Sequence, residues 1–126
     1  MKILFLALSL LAYPTFAVDK YEYAELTFNI WHYPSAEVED YEGEARFWTQ
    51  DTGWIIGVGQ HEISGLKALE QGIRELCEKL DWNPCPVFNV EMLQLLGEDG
   101  WKLVSHDHTR RTGLDSETFT LIRNIE

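Results

Sequence analysis

The chain has 126 residues, of which 21 are acidic and 10 are basic, so its formal net charge is −11. This charge argues against nucleic-acid binding, because duplex binding relies on Lys and Arg to neutralise phosphates, and it also disfavours anionic membrane surfaces. It favours a cationic partner, whose encounter with the chain it would steer, although solubility alone would also explain it.

The first 17 residues have the layout of a cleavable secretory signal. Lys2 precedes an apolar run over residues 3–12, and the small residues Thr15 and Ala17 stand at the −3 and −1 positions of a cleavage site. We therefore predict cleavage after Ala17, a single mature domain over residues 18–126, and a secreted or periplasmic protein. The apolar run is shorter than the roughly 20 residues of a membrane-spanning helix, so no membrane association is expected after cleavage. The alternative is an uncleaved anchor or a buried amino-terminal helix.

The chain contains two cysteines, Cys77 and Cys85. In an oxidising compartment such a pair predicts a disulfide, and Asn83-Pro84 supplies a turn that could bring the two ends together. Two free buried thiols or half of a metal site are the alternatives. A closed loop this short would contribute on the order of 2–3 kcal/mol to stability.

Alternation of apolar and polar residues predicts strands in the first half of the mature chain. One strand begins at Tyr21, with apolar residues at every second position over 24–30, and ends at Pro34. Two further strands, over residues 45–50 and 53–59, are joined by a hairpin turn. The segment 37–44 holds five acidic residues and predicts an exposed loop.

The second half of the chain predicts two helices and two more strands. Apolar residues at three- and four-residue steps indicate a helix from Ser64, its N-cap, to about Asp81, and a shorter helix over residues 90–96 ends at Gly97. A strand is predicted from Trp101 to Val104, residues 106–116 predict a loop, and residues 118–123 are predicted as the last strand. The expected fold class is α+β: an antiparallel sheet of four or five strands with one long and one short helix packed on one face.

Three short segments carry a resemblance to a known family. Tyr21-Glu22-Tyr23, the run Leu96-Gly97-Glu98-Asp99-Gly100-Trp101-Lys102-Leu103-Val104 and Phe119-Thr120-Leu121-Ile122-Arg123 resemble a small bacterial and phage domain family of unknown function. That family has a Tyr-Glu-Tyr strand, a helix ending in Leu-Gly-x-x-Gly-Trp-x-Leu-Val and a final Phe-x-Leu-x-Arg strand. The resemblance covers about a third of the mature chain and implies a fold, with no activity or catalytic residues to transfer.

Carboxylates and aromatic residues are interleaved around the acidic segment. Aromatic side chains anchor protein interfaces and charges steer the encounter, so this segment predicts a non-catalytic binding module for a protein partner, in particular a cationic one. Exported acidic proteins of this size include inhibitors of the cationic lysozymes, which is an analogy of size and charge. A solvated loop without a partner is the alternative. The candidate binding residues are Glu37, Glu39, Asp40, Glu42, Glu44, Trp31, Tyr33 and Tyr41.

A different class of function, a metal-dependent or acid hydrolase, rests on two weaker patterns. Asp51-Thr52-Gly53 is the tripeptide of the aspartic proteases, although a hairpin turn explains it equally well. His106 and His108 have a strand-like spacing that could direct both rings towards one metal ion, but two ligands do not make a zinc site. We therefore predict neither a cofactor nor a resident metal, and catalysis only as the alternative function.

Overall fold

The computed structural model describes residues 20–34, 39–86 and 89–124, so the predicted signal peptide lies outside the described residues. The element order is three strands, two helices and two strands. Their bounds are β1 (Tyr21–Pro34), β2 (Glu39–Thr49), β3 (Gly53–His61), α1 (Gly65–Leu80), α2 (Asn89–Glu98), β4 (Lys102–Arg111) and β5 (Leu114–Asn124).

All five strands form one antiparallel sheet with the order β3-β2-β1-β5-β4. The first strand of the chain is therefore central: Leu26 of β1 lies opposite Phe47 of β2 on one side and opposite Phe119 of β5 on the other. The predictions of an α+β fold, of an antiparallel sheet and of one long and one short helix are confirmed.

Two segments that we predicted as loops are strands. Residues 39–44 of the acidic segment form the first half of β2, paired with β1 from Pro34↔Glu39 onwards, while residues 37–38 lie outside the described residues. Residues 106–116 form most of β4 and the start of β5, joined by a tight turn at Thr112-Gly113, where Gly113 has a φ of 82°. Both predictions were wrong because neither segment shows the apolar alternation that marks a strand: residues 39–44 are mostly acidic, and residues 106–112 are all polar and exposed.

The buried core joins alternate residues of the sheet to both helices. Since side chains alternate between the two faces of a strand, the sheet residues of the core all lie on one face. We call the opposite face of the sheet the outer face. The core consists of Ala24, Leu26, Phe28, Ala45, Phe47, Ile73, Leu76, Cys77, Met92, Leu96, Trp101, Phe119 and Leu121.

Helix α1 lies unusually close to β2 and β3. The Ser64 side chain accepts a hydrogen bond from the backbone N–H of Lys67, which caps the helix as predicted. A Cβ atom at Gly43 would overlap the backbone of Leu69, and one at Gly57 would overlap the backbone of α1 at Gly72 and Leu76. These glycines therefore allow helix and sheet backbones to make direct contact.

Both helices end in the same hydrogen-bonded motif, and each end is followed by a tryptophan that lies in the core or packs against it. After α1, Asp81 adopts a left-handed conformation and the N–H of Trp82 binds the carbonyl of Cys77. After α2, Gly100 has a φ of 95° and the N–H of Trp101 binds the carbonyl of Leu96. These are the hydrogen bonds of the Schellman motif. The left-handed glycine is thus Gly100, and our prediction that Gly97 ends the helix was wrong, since Gly97 lies within α2.

Cys77 and Cys85 form a disulfide with an S–S distance of 2.11 Å, as predicted. Cys77 is buried on α1, and Cys85 packs against the edge of the core. The bond fixes the segment after α1, including Trp82, against Phe47, whose ring centroid lies 5.7 Å from that of Trp82. Over the described residues, neither helix has the length and apolar character needed to cross a bilayer.

Candidate functional site

The predicted acidic and aromatic residues meet on the outer face of the β1–β2 hairpin. Trp31 lies directly opposite Glu42, and Tyr33 lies opposite Asp40. Directly opposed side chains in an antiparallel pair lie about 4.5–5.5 Å apart at Cβ, so the strands place two rings and two carboxylates in one patch. We call these four residues, Trp31, Tyr33, Asp40 and Glu42, the Glu42 surface.

Tyr33 connects the rings and the carboxylates of this surface. Its hydroxyl donates a hydrogen bond to Oε1 of Glu42 over 3.3 Å, and 52% of the residue is exposed. Loss of hydration, followed by the charge of Glu42 and its hydrogen bond, raises the pKa of Tyr33 above its ordinary value. The phenol therefore stays protonated at neutral pH and serves as a donor to the carboxylate.

Glu44 lies on the same face but differs from Asp40 and Glu42 in having a basic partner. Its Oε1 accepts a hydrogen bond from Nδ2 of Asn29 over 2.8 Å and lies 3.6 Å from Nε of Arg46. The Arg46 guanidinium in turn lies 4.4 Å from the centroid of the Trp54 ring. Among the described residues, no basic side chain pairs with Asp40 or Glu42, so these two carboxylates carry the uncompensated charge of the patch.

The centre of the outer face is polar and tightly packed, which the sequence analysis missed. Thr27 and Asn29 are only 4% and 6% exposed, although they point away from the core. Their hydroxyl and amide are bonded across strands: the Oγ1 atoms of Thr27 and Thr118 lie 3.3 Å apart, and Asn29 binds Glu44. Such bonds between neighbouring strands hold the outer face in a fixed arrangement. The sequence signal for this polar centre is the alternation of Thr27 and Asn29 with the apolar residues of β1.

The structure separates one candidate binding residue, Tyr41, from the Glu42 surface. Tyr41 points to the core face, where its ring stacks on His32 with centroids 4.5 Å apart. Tyr41, predicted as a binding residue, therefore does not lie on the same face as Trp31 and Tyr33, because alternation along β2 directs it to the opposite face. Glu37 lies outside the described residues, and Glu39 is the first residue of β2.

His106 and His108 lie on the same face of β4, as their spacing predicted. Nε2 of His106 lies 2.9 Å from Oε2 of Glu117, and its ring stacks on Phe119 with centroids 4.4 Å apart. Nε2 of His108 lies 2.6 Å from Oδ1 of Asp115. Each imidazole thus has its own carboxylate on β5. Within residues 20–34, 39–86 and 89–124, no three His, Cys, Asp or Glu side chains form a group that could hold a metal ion.

Asp51 lies in the exposed turn between β2 and β3. The hydroxyl groups of Thr49 and Thr52 are 2.8 Å apart in this turn. Asp51-Thr52-Gly53 is therefore explained by the hairpin turn that it forms. The strand order puts β3 and β4 at opposite edges of the sheet, so Asp51 and the histidine pair belong to different regions. The residues proposed for a hydrolase are not brought together.

One surface cavity lies near the end of α2, with a volume of about 330 Å³. It contains none of the predicted site residues. Two of its lining residues, Glu98 and Asp99, are acidic, and the Asp99 carboxylate already binds Arg123 of β5 over 2.7 Å. The cavity therefore adds no chemistry to the candidate site.

Comparison with known proteins provides no relative on which to base a function: no family model, no curated protein and no solved structure matches the chain. The resemblance to the small bacterial and phage family therefore stays a prediction. Function has to be argued from the surfaces of the molecule.

Proposed function

We propose that this chain is an exported, non-catalytic binding module that uses its Glu42 surface to hold a basic segment of a partner protein. The observation that carries the proposal is the pairing of Trp31 with Glu42 and of Tyr33 with Asp40 across two strands. Rings and carboxylates in one patch suit Lys and Arg side chains, whose stems pack on rings while their charges meet carboxylates.

The accessibility of this surface is part of the proposal. Core residues from both helices belong to one cluster with Leu26 and Phe47. We take both helices to cover that face of the sheet, which leaves the outer face open to a partner. In support, Tyr33 and Asp40 are exposed, while Trp31 and Glu42 are half-buried and therefore already fixed in place. A preorganised surface loses less side-chain entropy on binding.

Charge and compartment support the same function. Without Lys2 the chain would keep nine basic and 21 acidic residues, a formal net charge of −12, which accelerates encounter with a cationic protein. Export is supported by the signal-like residues 1–17 and by the Cys77–Cys85 disulfide, since such bonds persist in oxidising compartments.

The test compares three forms of the chain without residues 1–17: the natural sequence, D40N/E42Q, and the control E78Q/E98Q. The control removes the same two charges from exposed positions on the helices. Each form is immobilised and exposed to a panel of basic secreted proteins, a lysozyme among them, at low salt and at about 0.5 M salt, where screening acts within a few ångströms.

We expect at least one basic protein to bind the natural form and the control with equal affinity at low salt. D40N/E42Q should weaken that binding by about tenfold or more, because two uncompensated carboxylates lose their charge while the fold is kept. Equal binding by all three forms would show that only net charge is sensed. Binding of no basic protein at either salt concentration would also contradict the proposal.

A further inference from the structure

The two edges of the sheet are finished in different ways. At the β3 edge, side chains of α1 bind the outward backbone groups. Nζ of Lys79 donates to the carbonyl of Ile56 over 2.6 Å, and the N–H groups of Val58 and Gln60 donate to Glu75 over 2.6 Å and to Gln71 over 3.1 Å. These acceptors and donors recur at four-residue steps, one helical turn apart. This edge cannot accept another strand without losing them.

The β4 edge has no such protection. All ten residues from Lys102 to Arg111 are exposed, and within the described chain no hydrogen bond reaches the backbone groups of β4 that face away from β5. A bulge lies between Leu103 and Ser105, and regular pairing with β5 then continues to Arg111. Residues 105–111 therefore present a continuous row of unpaired N–H and C=O groups, which is a template for a further strand.

The charge of β4 is opposite to that of the rest of the chain. The strand contains Lys102, Arg110 and Arg111 against one acidic residue, Asp107, while the whole chain has a formal charge of −11. Arg110 lies 3.6 Å from Asp115, and Arg111 has no ion pair among the described residues. A basic edge on an acidic protein attracts an acidic segment and repels a basic one.

A second copy of this chain is a poor occupant of the edge. In the antiparallel register that aligns residues 105–111 fully with themselves, His106 lies opposite Arg110 of the second copy and His108 lies opposite itself, so no carboxylate lies directly opposite an arginine in that register. Two molecules of formal charge −11 also repel each other. Charged side chains are a known protection of edge strands against pairing with a second copy. The same positive charges favour a strand that carries negative charge.

We infer that β4 is a second binding site, independent of the Glu42 surface, which adds an extended acidic peptide segment of another protein as a sixth strand. The peptide backbone pairs with residues 105–111, and its carboxylates meet Arg110 on one face of the strand and Arg111 on the other. Backbone pairing supplies the affinity for an extended chain, and the arginines supply the preference for acidic side chains.

The test uses a synthetic decapeptide that repeats Glu-Glu-Thr-Thr, so that each face of the extended peptide carries carboxylates. Two comparison peptides are the same repeat with Lys in place of Glu, and the Glu-Thr peptide with three Thr replaced by Pro. Amide signals of the disulfide-bonded chain are followed by NMR during titration to about 1 mM peptide, and amide hydrogen exchange is measured at the highest concentration. The Pro peptide keeps the charge but lacks a backbone N–H donor at three positions.

We expect the Glu-Thr peptide to shift amides of residues 105–111 and to slow their exchange by about fivefold or more, with no slowing in β3. R110Q/R111Q should weaken binding by about fivefold or more, whereas K67Q/R74Q, which removes two charges from exposed positions of α1, should leave it unchanged. D40N/E42Q should also bind normally, which separates this site from the Glu42 surface. Equal binding of the Pro peptide, protection outside β4, or no binding at about 1 mM would overturn the inference.

Discussion

The β3 side and the β4 side of the sheet differ in how much of their backbone makes contacts within the fold. On the β3 side, α1 touches the sheet backbone at Gly43 and Gly57, and its side chains bind the edge. On the β4 side, every strand residue is exposed and the edge is unpaired among the described residues. Stability is thus concentrated where helix and sheet meet, and the opposite edge keeps free backbone and charged side chains that a partner can use.

The first way to break this contrast is to force α1 away from the sheet with Gly57→Ala. A Cβ atom at this position would overlap backbone atoms of Gly72 and Leu76, which cannot rotate away. We expect a loss of about 3 kcal/mol or more in the free energy of unfolding, measured by urea denaturation.

Gly97→Ala is the matched control for this change. Gly97 lies within α2, and a Cβ atom there would meet nothing within 4 Å. Because Ala is the better helix former, this variant should be unchanged or more stable by up to about 1 kcal/mol. Similar destabilisation by both variants would show that the close contact of α1 with the sheet does not decide stability.

The sequence predicted the elements that have a clear apolar pattern, such as α1. It missed the first half of β2 and strand β4, which lack that pattern. Helix α1 was predictable because Ser64 caps it and apolar residues recur at helical steps. The first half of β2 was not, because its outward positions are acidic and its inward positions include Gly43, where α1 leaves no room for a side chain. Strand β4 was missed because an edge strand exposed on both faces has no apolar alternation.

The candidate site was predictable in composition and not in geometry. Carboxylates and rings around Glu42 were evident, but which of them lie together depends on the register of β1 and β2, in which Trp31 lies opposite Glu42. An alternation argument from residue 39 onwards would have placed Tyr41 on the core face. The free edge at β4 depends on strand order, which no local pattern encodes.

The second prediction concerns the attachment of β5 to the remainder of the fold through Arg123. Its guanidinium donates to Glu22 of β1 over 2.6 Å and to Asp99 over 2.7 Å, and it lies 4.3 Å from the ring centroid of Trp101. Burial acts to lower the pKa of Arg123, but the bonds and charges of Glu22 and Asp99 outweigh it and raise the pKa. Arg123→Leu leaves the Glu22 carboxylate, itself mostly buried, without its partner.

We expect this variant to lose about 2 kcal/mol in urea denaturation at neutral pH, since truncating one side of a part-buried pair strands the other charge. Arg74→Leu, at an exposed position of α1, serves as the control and should change stability by less than about 0.5 kcal/mol. A loss for Arg123→Leu no larger than that for Arg74→Leu would contradict this role of Arg123.

The smallest expected effect sharpens the comparison of the two edges by making β3 resemble β4 at one position. Glu75→Leu removes the acceptor that binds the N–H of Val58 over 2.6 Å, whereas Glu75→Gln keeps an oxygen there. The cost in global stability should stay below about 1 kcal/mol, because the freed N–H faces water at the sheet edge.

The measurement is hydrogen exchange of individual amides. In Glu75→Leu the Val58 amide should exchange about five- to tenfold faster, while Gln60, which binds Gln71, keeps its rate. Faster exchange of both amides would mean that the edge opens as one unit, and unchanged exchange at Val58 would mean that pairing with β2 already protects it. Either result would show that the side-chain hydrogen bonds of α1 do not explain why the backbone of β3, unlike that of β4, is unavailable to a further strand.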